Sequence, residues 1–242
     1  MGDQDIPRQT GSSTAQWVGE DGALSETDAT FDDVTLSPKT VGAVTSYSRR
    51  TLINAVPSIE NIVRNDLANV IASAIDFQAM MGTGASNTPT GVRHSTGVHA
   101  LSLSGPTWAQ VLEFPARIES ANAALGSLAW AMSPHGVKLL RSTVKVASTD
   151  SVMLMDSPNQ LAGYPVAPTT ALTTEDSPQT SLALFGDWSQ LLVGYWSGVD
   201  VLINPYEGVA YLRGRVLMRA MRDVDVAVRH PESFAYATDL AV

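Results

Sequence analysis

One uninterrupted amphipathic pattern runs from Ser58 to Met81 and stops abruptly in Gly82-Thr83-Gly84-Ala85-Ser86-Asn87-Thr88-Pro89-Thr90-Gly91. Apolar residues Ile59, Ile62, Val63, Leu67, Val70, Ile71, Ala74 and Ile75 recur at spacings of three and four, which places a stripe along one side of a helix. Ser58, after Pro57, supplies an N-cap. At 1.5 Å per residue the helix is roughly 36 Å long, well beyond the usual three turns. A rod of that length reads as a structural spine around which the rest of the chain must organise. Glu60, Arg64, Asp66 and Asp76 interrupt its apolar character, so it is not a lipid-crossing segment. The glycines after it read as a helix stop that permits positive φ.

Strand patterns precede the helix. Ala15–Gly19, Phe31–Leu36 and Val41–Tyr47 read as strands, with Val41, Ala43, Thr45 and Tyr47 alternating onto one face. Between the first two lie Gly19, Glu20, Asp21, Gly22, Glu26, Thr27 and Asp28, turn formers and acids that suit the tip of a two-stranded ribbon. An isolated ribbon is marginal in water and needs a surface to lie on. Residues 1–13 are polar and read as a mobile segment.

After the spine, Thr107 and Gln110 form a capping box for a second helix with Trp108, Val111, Leu112, Ile118 and Leu125 on its inner face and a kink at Pro115. A strand over Leu128–Met132 leads to Ser133-Pro134, a cap followed by a first-turn proline. Strand signals then dominate over Ser181–Phe185, Leu191–Tyr195, Val199–Ile203 and Val209–Arg229. Helices and strands mix without a strict β-α-β repeat, so the fold class is α+β.

Composition narrows the function. With 15 Lys plus Arg against 24 Asp plus Glu the formal charge is −9, the wrong sign for gripping nucleic acid by its phosphates. There is no cysteine, which removes disulfides, thiolate nucleophiles and cysteine-based zinc sites. His94, His99, His135 and His230 show no ligand spacing, and a solvated loop is the better reading of the first two. The loop over 82–91 resembles a phosphate cradle, but it lacks the lysine and follows a helix instead of preceding one, which argues against nucleotide binding. Paired acids at Asp32-Asp33, Glu175-Asp176 and Asp223 with Asp225 each suit a cation; Arg219, Arg222 and Arg229 favour ion pairs for the last pair. No GxSxG elbow occurs. No catalytic, cofactor-binding or metal-binding residue is assigned. Trp108, Trp130, Trp188 and Trp196 read as core or interface anchors, whereas Trp17 sits on the ribbon, where the local fold offers little burial.

Read in order, "PRQTGSSTAQWVGEDGALSETDATFDDVTLSPKTVGAVTSYSRR", the spine helix and "GTGASNTPTGV" resemble the Hong Kong 97-type major capsid proteins of tailed bacteriophages and prophages. "TWAQVL", "AWAMSPHGVKLL", "LAGYPVAPTTAL", "LFGDWSQLLVGYWSGVDVLI" and "MRDVDVAVRHPESFAY" follow in the order of that family, so the resemblance spans about Ile6 to Tyr236. It implies a remnant of an N-terminal arm over 1–13, an extended loop with strands over 14–48, and a peripheral domain with spine helix and glycine loop over 49–106. An axial domain over 107–212 and a return to the peripheral domain over 213–242 complete it. The expected function is a coat protein that assembles with copies of itself, as pentamers and hexamers, into an icosahedral shell enclosing double-stranded DNA in the virion, after synthesis in the bacterial cytoplasm. Portal, scaffold or decoration proteins are the other partners the resemblance implies. Expected contacts between copies are Trp17, Glu20 and Ser25 on the ribbon, Gly82, Gly84 and Pro89 on the glycine loop, and Arg219, Asp223 and Asp225 near the C-terminus.

Some family members weld subunits by a lysine–asparagine isopeptide bond assisted by a glutamate. Here Ser25, Gly214 and Met221 stand near those three positions, which implies a shell held by noncovalent contacts. An encapsulin-type nanocompartment shares the fold, but the "PRQTG" entry and the glycine loop favour the phage branch. A small serine hydrolase requires His135 or His230 to meet an acid and a serine in three dimensions.

Overall fold

The computed structural model describes residues 2–48, 50, 59–146, 152–172 and 180–241. The N-cap expected at Ser58 and the acid pair Glu175-Asp176 lie outside the described residues. Strands β1 (Gln4–Gly11) and β2 (Thr30–Leu36) pair antiparallel as a two-stranded ribbon, with Ile6 opposite Val34 and Arg8 opposite Asp32. This corrects two expectations. Residues Gln4–Gly11, read as part of a mobile polar segment, form the outgoing strand, and Ala15–Gly19 is not a strand but part of the tip between the two. The polar composition of β1 concealed it: its half-buried side carries Ile6 but also the charged Arg8, so no apolar alternation reveals it.

Strand β3 (Lys39–Ser48) leads to helix α1 (Ile59–Met81), which packs on a sheet ordered β10–β11–β3, where β10 is Asp200–Asn204 and β11 is Arg215–Val228. Strand β9 (Leu191–Tyr195) pairs with the far end of β11. The core between helix and sheet is Leu67, Ile71 and Ile75 against Tyr47, Met218, Ala220 and Val224, with Ile59 and Val63 at its margin. The stripe of α1 is therefore narrower than the sequence pattern, and Ile62, Val70 and Phe77 remain exposed.

The second core surrounds a six-stranded sheet ordered β4–β12–β8–β5–β7–β6, from β4 (His99–Ala100), β5 (Leu128–Met132), β6 (Gln160–Leu161), β7 (Tyr164–Pro168), β8 (Thr180–Asp187) and β12 (Phe234–Ala241). Helix α2 (Trp108–Ser120) starts at the expected capping box, in which Thr107 Oγ1 accepts from the Gln110 amide and the Gln110 side chain accepts from the Thr107 amide. It buries Val111, Phe114, Pro115 and Ile118, while Leu112 and Leu125 of the expected inner face are exposed. Phe114, Trp130 and Phe185 stack in series with ring centroids 4.9 and 4.5 Å apart. Helix α3 (Pro134–Ser142) opens as read, Ser133 Oγ accepting from the Gly136 amide at 3.0 Å.

Strand pairing redraws the expected subdivision. β9 and β10, placed by sequence in the 107–212 unit, join the spine helix through β11. β12, expected to return to the spine, joins β8 in the six-stranded sheet, and Ala235, Ala237 and Leu240 enter its core. Strand partners are set by contacts distant in sequence, which local alternation does not encode. The start of the expected strand Val209–Arg229 is instead a short helix, α4 (Gly208–Leu212), capped by the Glu207 side chain on the Ala210 amide and followed by Gly214 at φ +61°.

Candidate assembly surfaces

The outer part of the ribbon is exposed, and its root is held by the buried Leu36 and by polar bonds. Arg8 Nη2 pairs with Asp32 Oδ2 at 2.8 Å across the ribbon, and Arg8 Nη1 donates to the Arg229 carbonyl on the body at 3.4 Å. Arg229 Nη2 reciprocates to the Pro7 carbonyl at 3.2 Å. Hydrogen bonds from the Arg8 guanidinium and then the Asp33 amide hold the Asp32 carboxyl below its ordinary pKa. A cleft of about 600 Å³ opens beside this root between Arg8, Asn122 and His230. Burial, then the nearby Arg229 and Arg8 charges, push the His230 pKa below its ordinary value, by disfavouring the imidazolium.

The tip over 12–29 closes on itself: Gln16 Oε1 accepts from the Ser25 amide at 3.1 Å, and Thr27 Oγ1 accepts from the Thr14 amide at 3.0 Å. Trp17 is 103% exposed, so its indole touches essentially nothing in its own chain. Glu20 and Ser25 are exposed beside it, as are Val18 and Leu24.

In the glycine loop, Gly82 and Pro89 are buried and Gly84 is exposed. The Gly82 amide donates to Gln78 O at 2.9 Å, Gly91 donates to Gly82 O at 2.9 Å, and Gly84 donates to Pro89 O at 3.2 Å, so the loop folds back on the helix end. A Cβ on Gly82 would lie 2.3 Å from Pro89 O and 2.5 Å from Gln78 O, both backbone atoms. Gly82 and Pro89 thus shape the base of the loop, and its outward surface is carried by Thr83–Asn87. Beside it an apolar groove of about 260 Å³ runs between α1 and the sheet, lined by Ala74, Ile75, Pro89, Val224 and Val226.

Asp223 and Asp225 are bonded within the chain to β3 and to Ser37 just before it; Asp225 makes an ion pair between elements, with Lys39 in place of the arginines expected. Asp225, 3% exposed, accepts from Lys39 Nζ at 2.6 Å, Ser37 N at 2.8 Å and Val226 N at 2.9 Å. Asp223 Oδ1 accepts from Thr40 Oγ1 at 2.6 Å. Arg222 instead lies over the Tyr195 ring, 3.7 Å from its centroid, and Arg219 is exposed on β11. Sequence reasoning missed the Arg8–Arg229 clasp, because its partners are backbone carbonyls. It also missed the exposed Tyr206, Tyr211 and Leu212 at α4, two of which fell within an expected strand.

Around the histidines, His94 Nδ1 lies 3.1 Å from Gly82 O. Two serines close in sequence to His135 and His230 make main-chain bonds: Ser133 Oγ accepts from Gly136 N, and Ser233 Oγ donates to Ala123 O at 2.8 Å. Among the described residues no group of three His, Cys, Asp or Glu is placed to hold a metal, and no helix is long and apolar enough to cross a membrane.

A spine helix on a sheet, a projecting ribbon and a second sheet-centred core make up the Hong Kong 97-like capsid fold. The capsid of the native GTA particle superposes with a TM-score of 0.75 at 18% identity, over 100% of this chain and 86% of that one. Gordonia phage Cozz gives 0.76 at 14% identity, over 98% and 82%. A family model described as the phage capsid family matches residues 1–239, and the chain belongs to that family, whose members are structural coat proteins. It is similar to the major capsid protein of Halomonas phage phiHAP-1, 29% identical over 238 residues covering 98% of this chain and 38% of that protein. It is also similar to the major capsid protein of Klebsiella oxytoca phage phiKO2, 23% identical over 257 residues covering 98% of this chain and 60% of that protein. The chain thus spans less than two thirds of the length of either relative.

Proposed function

We propose that this chain is the shell-forming part of a major capsid protein, and that copies of it tile an icosahedral shell as pentamers and hexamers around packaged double-stranded DNA. The observation that carries this reading is the ribbon: in a chain of the phage capsid family it holds Trp17 wholly in solvent, an arrangement that is unfavourable for a lone molecule and natural for one that meets neighbours. Trp17, Glu20 and Ser25 then serve as contacts in trans, as do Gly84 with the outward part of the glycine loop, and Arg219 on its open strand face. Gly82, Pro89, Asp223 and Asp225 act indirectly, by fixing the surfaces that meet. The acidic balance suits a wall that encloses DNA without binding it tightly. The role is structural and needs no catalytic group.

Light scattering on a sizing column followed by electron microscopy of each peak tests this. Closed shells, tubes or fivefold and sixfold rings support it, and a monomer at every accessible concentration refutes it. With Ser25, Gly214 and Met221 near the positions of the isopeptide partners, the shell is noncovalent, so assembled material runs as a single monomer band on a denaturing gel.

A further inference from the structure

The sequence contains one Asp-Gly step, Asp21-Gly22, and no Asn-Gly. It falls at the far end of the ribbon, where every residue from 12 to 28 is exposed. Asp21 stands at φ +67°, in the left-handed region that side-chain-bearing residues seldom occupy and that aspartate tolerates in turns. The Gly22 amide donates to Gly19 O at 3.0 Å and closes a β-turn. Space favours glycine at 22, because a Cβ there would lie 3.1 Å from Gly19 O and 3.1 Å from Val18 Cβ. The turn is therefore closed with the one residue type that leaves the amide after an aspartate unshielded by a side chain.

We infer that Asp21-Gly22 is a site of spontaneous isomerisation, and that the change withdraws free chains from the pool able to assemble. The Gly22 nitrogen attacks Cγ of the protonated Asp21 side chain, an N–Cγ bond forms, and the carboxyl hydroxyl and the amide proton leave as water. A water then opens this succinimide at the Asp21 main-chain carbonyl, so the chain runs on through Cβ and Cγ and the α-carboxylate is set free. Composition is unchanged, and no oxidant or enzyme takes part. The extra methylene enters a closed loop. Thr27 Oγ1 accepts from the Thr14 amide and Gln16 Oε1 from the Ser25 amide, so residues 17–24 must absorb it. Those residues carry the exposed Trp17, Val18 and Leu24, whereas the buried cores include none of residues 12–28. Attack on Cγ requires the turn to open at the bond from Gly22 to Gly19, which a neighbour held against the tip resists. Free chains therefore isomerise and assembled ones are spared. The effect on assembly rests on the coat-protein reading above; the isomerisation does not.

Chain aged in free form and as particles is labelled with protein L-isoaspartyl methyltransferase and S-adenosylmethionine, and the tryptic peptide spanning 9–39 is sequenced by electron-transfer fragmentation. Isoaspartate should accumulate at position 21 of the free chain ahead of every other aspartate, and stay near its starting level in particles. Asp21→Asn, with ammonia as the leaving group and the same tolerance of positive φ, should speed the reaction, and Asp21→Gly, which suits the turn, should abolish it. Particle yield from aged chain should fall in proportion to the isoaspartyl fraction, recover after repair by the methyltransferase, and hold steady in aged Asp21→Gly. Absence of isoaspartate at 21 in aged free chain overturns the site. Equal isoaspartate in particles and free chain overturns the protection by neighbours. Aged chain that assembles like fresh chain, or a loss on ageing shared by Asp21→Gly, overturns the effect on assembly. A chain that never forms particles overturns the coat reading and leaves the isoaspartate measurement standing.

Discussion

Asp225 carries three hydrogen bonds on one nearly buried carboxylate, and its Lys39 partner comes from a strand far away in sequence. Removing the acid strands the Lys39 ammonium and two backbone donors, so Asp225→Ala should destabilise the chain by about 2–4 kcal/mol, read as a lower urea midpoint with unchanged slope. Asp239 is the pH-sensitive counterpart. Burial raises its pKa, but hydrogen bonds from the Leu103 amide, then Ser102 Oγ, lower it further, so the net value lies below the ordinary carboxylate value. A depressed folded pKa means the stabilisation is fully present above the unfolded value, near 3.8, and is lost as pH falls through the folded one. Asp239→Asn should therefore weaken the chain at neutral pH and flatten the acid limb of a stability–pH curve.

At the scale of elements, the glycine loop and the ribbon are held in opposite ways. The loop is closed by backbone contacts too tight for a side chain at Gly82, so Gly82→Ala should cost about 1–3 kcal/mol despite alanine's better helix propensity. Thermal unfolding reads that loss. The ribbon is tied at its root by two guanidinium–carbonyl bonds beside the buried Leu36. Arg229→Ala should leave the two cores intact and speed hydrogen exchange in β1 and β2; unchanged protection there would show that the clasp does not hold the ribbon. The spine helix, the capping box at Thr107 and Gln110 and the serine cap at Ser133 were legible from periodicity and residue type. β1 was not legible, because its half-buried side pairs Ile6 with the charged Arg8 and so lacks the apolar alternation that marks a strand.

At the scale of the molecule, the proposed contact at Trp17 lies outside the cores that hold the fold. Trp17 contributes essentially no contact to its own fold, so Trp17→Ala should shift unfolding by less than about 0.5 kcal/mol while reducing particle yield. Equal loss of both would mean that the indole packs within the chain. The α+β class, the long spine, the glycine stop, the absence of cysteine chemistry and the order of segments that resembles capsid shell proteins all follow from the amino acids alone. These are local patterns, written in residue spacing and type. Packing of distant segments settles that β9 and β10 join the spine while β12 leaves it, and that Asp225 pairs with Lys39 and not with an arginine. Each of those depends on which distant strands meet and in what register, a choice made by the packing of the whole chain.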